Sequence, residues 1–297
     1  MAVVGRLITA MVTPFDEEGN VDYSQAKLLA RSLLNAGSDG LVISGTTGES
    51  PNLSTYEKLH LFSEIKSELG EDAAVVAGTG NYSTTESIEL TQEAEKQGAD
   101  AALLVVPYYN KPTQEGLYKH FRVIAENTNL PCILYNVPSR TITNLSSDTV
   151  LALSQIDNII GVKEASGDFD QITRIIAGSS EGFNVWSGND NDTFGVMCLG
   201  GYGVISVASH LIGLQIKNMM DLILSGDIPS AASEHKRLLS MFKGLFIISN
   251  PIPVKYSLQH IGFRVGSTRL PLTEPDEATA NQILDLIRSY KIDFPVE

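Results

Sequence analysis

The sequence predicts an α/β chain folded as a (β/α)8 TIM barrel with a C-terminal three-helix subdomain. Three observations carry that expectation. Short, nearly continuous apolar runs rich in β-branched residues recur eight times. Amphipathic stretches with apolar residues three and four apart separate them, several ending in Gly. After the eighth run only helical patterns follow. Strands apolar along their whole length and joined by helices belong to a parallel sheet covered on its outer face, and eight of them close into a barrel. A doubly wound open sheet is the alternative. The count of eight weighs against it, as does the lack of GxGxxG after the first run.

In chain order the runs are RLITAMVTP from Arg6, LVISG from Leu41, AVVAG from Ala74, ALLVVP from Ala102, CILYNVP from Cys132, IIGVKEA from Ile159, NVWSG from Asn184 and GVISV from Gly203. Helical stretches between them include YSQAKLLARSLLNAG, TYEKLHLFSEIKSELG and TTESIELTQEAEKQGAD; Ser54 and Glu57 form a capping box for the second of these. From Ile212, IGLQIKNMMDLILSG completes a barrel over residues 1–225. SAASEHKRLLSMFKGLFIIS, PVKYSLQHIG and PDEATANQILDLIRSY then make a helical subdomain over residues 226–297, with Pro275 suited to a first helical position. No low-complexity linker separates the parts, so the subdomain is expected to pack tightly on the barrel.

At 297 residues and 43% hydrophobic content the chain can bury a large core, and barrels of about 250 residues are commonly one domain. Its 21 basic against 35 acidic residues give a net charge of -14 without a basic run, which disfavours nucleic acid and anionic membrane surfaces as partners. Cys132 and Cys198 each lie in an apolar stretch and read as reduced, buried and structural. The opening MAVVGRLITAMVTPF lacks a basic n-region and a cleavage site, and no apolar run reaches the roughly 18 residues of a membrane span. The protein is expected in the cytoplasm. The five histidines show no ligand spacing, so no metal site is expected.

Barrel chemistry sits at the C-terminal ends of the strands. Polar residues there are Thr46 and Thr47, Thr79 and Gly80, Tyr108 and Tyr109, Tyr135 and Asn136, Lys163 and Glu164, Asn189 and Asp190, and Ser206. Lys163 stands out because its apolar neighbours favour the neutral amine, which is a nucleophile; the structural alternative is a lysine that snorkels to the rim or pairs with Glu164. Tyr135 could pass protons beside it, or be a core tyrosine with a satisfied hydroxyl. GTTGES, residues 45–50, can converge backbone N–H groups on a carboxylate, or simply join a strand to a helix. Arg140 could fork onto a second carboxylate, or form a surface ion pair. Tyr108 and Tyr109 read by default as loop anchors.

GTTGES, PYYNKP, LYNVPSRT, GVKEASGD, GVISV and NPIPVK, in this order over nearly the whole chain, closely resemble the family of 4-hydroxy-tetrahydrodipicolinate synthases (dihydrodipicolinate synthases), within the wider N-acetylneuraminate lyase superfamily of pyruvate-dependent aldolases. The resemblance implies condensation of pyruvate with L-aspartate 4-semialdehyde through a Schiff base on Lys163, without a metal or organic cofactor. It implies that Tyr135 is the general acid and base, linked by Thr46 to Tyr109 of a neighbouring subunit. Thr47 would bind the pyruvate carboxylate, Gly188 and Ile205 would line the pocket, and Arg140 would hold the aldehyde's carboxylate. A homo-oligomer follows, with a dimer of dimers usual in the family. Where lysine-inhibited members carry histidine and asparagine at the dimer interface, this chain has Lys58 and Tyr82, although Ser50, Glu86 and Tyr108 are retained. Weak or absent inhibition by lysine is therefore expected. The alternatives are a sister lyase acting on sialic acid or a 2-keto-3-deoxy sugar acid, which would lack Arg140, and a barrel that binds a 2-oxo acid without catalysis.

Overall fold

The computed structural model describes residues 4–294. Its strands are β1 (Leu7–Ala10), β2 (Gly40–Ile43), β3 (Ala74–Gly78), β4 (Ala101–Val105), β5 (Cys132–Asn136), β6 (Ile159–Glu164), β7 (Asn184–Ser187) and β8 (Gly203–Ser206). They pair in parallel in sequence order, and β8 pairs with β1, so the barrel is closed.

Alternation explains why these runs are apolar throughout. Ile8, Val42, Val76, Leu103, Ile133, Trp186 and Ile205 fill the barrel interior, while Leu7, Leu41, Val75, Leu104, Leu134, Val162 and Val204 pack outward under the helices. Each such burial is worth about 1.5–3 kcal/mol, so both faces of every strand resist polar substitution.

The helices are α1 (Tyr23–Asn35), α2 (Thr55–Leu69), α3 (Thr84–Lys96), α4 (Gln114–Glu126), α5 (Pro138–Thr141), α6 (Ser147–Leu153), α7 (Phe169–Gly178), α8 (Thr193–Cys198), α9 (Ser209–Leu224), α10 (Ile228–Gly244), α11 (Ile252–His260) and α12 (Glu277–Arg288). Side-chain caps start most of them, and the Ser54–Glu57 capping box is present in full. Pro275 is not a first helical position: the Asp276 carboxylate caps α12 by accepting from the Thr279 N–H, which leaves the proline one residue outside. Cys198 is also corrected. In the short α8 the buried face is made by Val196 and Met197, so Cys198 turns to solvent, whereas Cys132 is buried in β5; both are free thiols.

The last three helices are tied to the barrel rim by a fully buried ion pair. Lys255 of α11 reaches Glu49 in the loop after β2 at 2.9 Å, and both side chains are at most 2% exposed. Glu49 also accepts the Arg269 N–H at 2.9 Å, and the Arg269 guanidinium grips Glu57 at the start of α2. The C-terminal segment therefore fixes the loop that carries Thr46 and Thr47.

Candidate active site

At the C-terminal ends of the strands lies a cavity of about 380 Å³ whose lining includes Thr46, Thr47, Tyr135, Arg140, Lys163, Gly188 and Asn250. A second cavity of about 220 Å³ shares Thr46, Tyr135 and Arg140 with it and runs toward Ser50 and Tyr108. Six of the eight residues to which the family resemblance gives a role, Thr46, Thr47, Tyr135, Arg140, Lys163 and Gly188, thus come together.

Lys163 enters the cavity from β6, where it pairs in register with Tyr135 on one side and Trp186 on the other. It is 5% exposed, and its Nζ lies 4.4 Å from the centre of the Tyr135 ring. Burial pulls the ammonium down to about 8; the buried Asp190 carboxylate opposes that shift and the Arg140 guanidinium adds to it. Glu164 does not pair with it, because successive strand residues leave opposite faces and the Glu164 carboxylate bonds behind the barrel wall. No carboxylate is bonded to the amine, and among the described residues Asp190 favours its protonated form only through its charge.

Gly188 makes room for this lysine. A Cβ there would stand 2.6 Å from the Ala165 Cβ and 3.2 Å from the Lys163 Cγ, so any larger residue would displace the side chain. Tyr135 is 6% exposed. Burial raises its phenol above the ordinary value, while Arg140 and the Thr46 side chain act in the opposite sense. A phenol flanked in this way can give a proton to a carbinolamine and take it back.

Thr47 is buried, and its Oγ1 accepts a hydrogen bond from Asn250 Nδ2 at 2.9 Å. Arg140 stands on α5 at the mouth and donates to the Asn250 carbonyl at 3.4 Å. Ile205, expected to line the pocket, lies instead in the interior packing with Tyr135 and Trp186 and lines neither cavity. Tyr109 is also apart. It is 95% exposed with φ +71° on the loop after β4, and it lines neither of these two cavities. All five histidines fall in helices, and no group of three metal-ligating side chains forms among the described residues.

Comparison with known proteins fits this geometry. Residues 3–290 match the model of the dihydrodipicolinate synthetase family. The chain belongs to that family. It is 58% identical over 297 residues, the full length of both chains, to a protein of Dehalococcoides mccartyi named 4-hydroxy-tetrahydrodipicolinate synthase. A dihydrodipicolinate synthase from Bacillus anthracis superposes with a TM-score of 0.96 at 43% identity, over 98% of this chain and 99% of that one. A second structure, described as a monomeric dihydrodipicolinate synthase variant, reaches a TM-score of 0.94 at 39% identity over 96% of each chain. The likeness covers barrel and C-terminal helices alike, so it includes every element that lines the cavity.

Within this family frame two polar residues at the site were given no role by sequence reasoning. Asn250 is 5% exposed, and its Oδ1 has no hydrogen-bond partner; the NPIPVK motif contains it, but nothing local marks a loop between two helices as part of a barrel mouth. Asp190 appears among the strand-end residues without an assignment. Its carboxylate is buried, bonded to the Ser206 hydroxyl, and accepts the N–H groups of Val207 and Ala208 at 3.1 and 3.0 Å. Those bonds hold it in place as the negative charge nearest in effect to Lys163.

Proposed function

We propose that the chain condenses pyruvate with L-aspartate 4-semialdehyde to 4-hydroxy-tetrahydrodipicolinate, the compound that its Dehalococcoides relative is named for, as a step toward diaminopimelate and lysine. The observation that carries the reading is a buried lysine of lowered basicity on a strand end, above a buried tyrosine and with an arginine at the mouth.

The neutral Lys163 amine attacks C2 of pyruvate and forms a C–N bond; Tyr135 delivers a proton to the oxygen, and water leaves. The resulting iminium is an electron sink, so a methyl proton is lost and the enamine forms a C–C bond to the aldehyde carbon, whose oxygen takes up a proton. The substrate's own amino group then attacks C2, the ring closes, and the Lys163 amine is released. Positive charge created at the imine is met by the fixed Asp190 carboxylate, an electrostatic support already oriented before reaction. Thr47 and the backbone of residues 45–48 would take the pyruvate carboxylate, and Arg140 the carboxylate of the aldehyde. The iminium supplies the electrophilic catalysis, so the scheme calls for no metal or organic cofactor.

Tyr109 enters this scheme only from a second copy of the chain, where it would join Thr46 and Tyr135 in a proton relay. A homo-oligomer, in a dimer-of-dimers arrangement, is therefore part of the proposal, and so is a cytoplasmic setting, where pyruvate is made. No helix among the described residues is long and apolar enough to cross a membrane.

The test is substrate comparison with the purified protein. Turnover is expected with pyruvate plus L-aspartate 4-semialdehyde, and no pyruvate release from sialic acid or 2-keto-3-deoxy sugar acids. Cleavage of a sugar acid without condensation of the semialdehyde would assign the chain to the sister lyases. No covalent pyruvate and no turnover would leave a binding protein.

A further inference from the structure

Lys163 and Glu164 are adjacent on β6 and leave opposite faces. The Glu164 carboxylate is 1% exposed behind the barrel wall, and the chemistry proposed above does not use it. A buried carboxylate is costly to keep where an apolar residue would pack, and burial raises the pKa of this one. It accepts from the Ser166 N–H at 2.8 Å, from Asn136 Nδ2 at 3.1 Å to each oxygen, and from Gln171 Nε2 at 3.1 Å.

Two of those partners hold the segment that carries Arg140. Asn136 Oδ1 accepts the Leu145 N–H at 2.9 Å, and Asn136 Nδ2 donates to Asn144 Oδ1 at 2.8 Å. Gln171 accepts from Asn144 Nδ2 at 2.8 Å. Asn136 thus closes the base of a loop running over residues 137–145, and Glu164 fixes the orientation of both amides that clamp it. Inside the loop, Ile142 sits at φ +62°, a conformation that a β-branched residue keeps only when its surroundings over-determine it. The groups facing the carboxylate are the Ser166 N–H and hydroxyl and the NH2 groups of Asn136 and Gln171, so an amide at position 164 would set its own NH2 against donors.

We propose that Glu164 is a positioning residue for the second substrate: through Asn136 and Gln171 it sets the loop that aims Arg140 at the carboxylate of the aldehyde. The inference rests on the functional reading above. It separates the two neighbours on β6, with Lys163 serving pyruvate and Glu164 serving the acceptor.

The experiment is a double-substitution cycle on the full chain. Glu164→Gln should raise KM for L-aspartate 4-semialdehyde about tenfold, the scale expected when a buried group loses its partner. KM for pyruvate and borohydride trapping of pyruvate should stay within about twofold. In an Arg140→Ala background the same change should have less than about a twofold effect, because residues acting through one another are not additive. Gln171→Met, which removes one amide and leaves Glu164 in place, should reproduce the selective rise and serves if Glu164→Gln does not fold. Equal losses for both substrates, or the same factor with and without Arg140, would reduce Glu164 to a structural residue and overturn the proposal. A wild-type protein that fails to turn over the semialdehyde would be a failure of the functional reading itself, and the positioning role would fall with it.

Discussion

Imine formation should follow the ionisation of a lysine that titrates near neutrality. An ordinary lysine side chain has a pKa of 10.5, and in this site it is about 8. At pH 7 about one chain in ten then presents a free amine, against about one in three thousand for an unperturbed lysine. That is about a 300-fold gain in nucleophile, equivalent to ~3.4 kcal/mol. With pyruvate saturating, borohydride quenching at timed intervals and intact mass give the rate of imine formation. It should rise nearly tenfold from about pH 6 to 7, bend near 8 and be flat above about 9. A rate still rising nearly tenfold from about pH 8 to 9 would show an unperturbed amine and refute the reasoning. Asp190→Asn sharpens the test, because the Asp190 carboxylate raises the lysine's pKa. Removing it should move the bend to lower pH while slowing the later steps, which lose the counter-charge to the iminium; a bend displaced to higher pH would contradict the assignment.

Four further outcomes follow from particular contacts. Lys255→Met leaves the Glu49 carboxylate buried and short of its ion-pair partner, and should cost about 3–5 kcal/mol in urea unfolding; adding Glu49→Leu should recover part of it, and a single variant as stable as wild type would contradict the latch. His210 donates from Nδ1 to the Val207 carbonyl and accepts the Val12 N–H at Nε2, so only the neutral ring fits, and burial holds its pKa at about 4 against 6.5. The unfolded chain binds that proton first as pH falls, so this stabilisation is complete above about pH 6.5 and is lost toward about 4, amounting to about 2.5 kcal/mol by pH 4.5. His210→Asn should show a smaller drop in unfolding midpoint between those conditions, and an equal drop would refute it. Mixing inactive Tyr109→Phe and Lys163→Ala proteins should restore activity, because a mixed dimer rebuilds one complete site; a fully active monomer in sedimentation would end the shared-relay argument. L-Lysine should inhibit weakly, since Lys58 puts an ammonium beside Glu86 where the ligand's own cation would go; a micromolar inhibition constant would overturn that.

The barrel was legible because its strands are apolar on both faces, which produces unbroken runs that a half-exposed sheet lacks. The site was legible at the strand ends for a related reason: Lys163 and Tyr135 are polar atoms at the close of such runs. Alternation alone could have told Lys163 from Glu164, since one must face inward if the other faces the helices. What the sequence hid depends on which way short elements turn. Cys198 lies in as apolar a stretch as Cys132, yet a helix of six residues buries one face and exposes the other. Asn250 belongs to a loop between α10 and α11, and only the packing of that region over the rim, fixed by Lys255 and Glu49, brings it to Thr47. In the proposed relay Tyr109 acts only from a second chain, which no periodicity within one chain encodes.

The central claim is that Lys163 carries pyruvate as an imine, and peptide mapping of the borohydride-treated protein tests it most directly. A pyruvate-derived mass is predicted on the Lys163 peptide and on no other, absent when pyruvate is omitted and absent from Lys163→Ala. An unmodified Lys163 in a protein that still turns over, or the adduct on another lysine, would contradict the account.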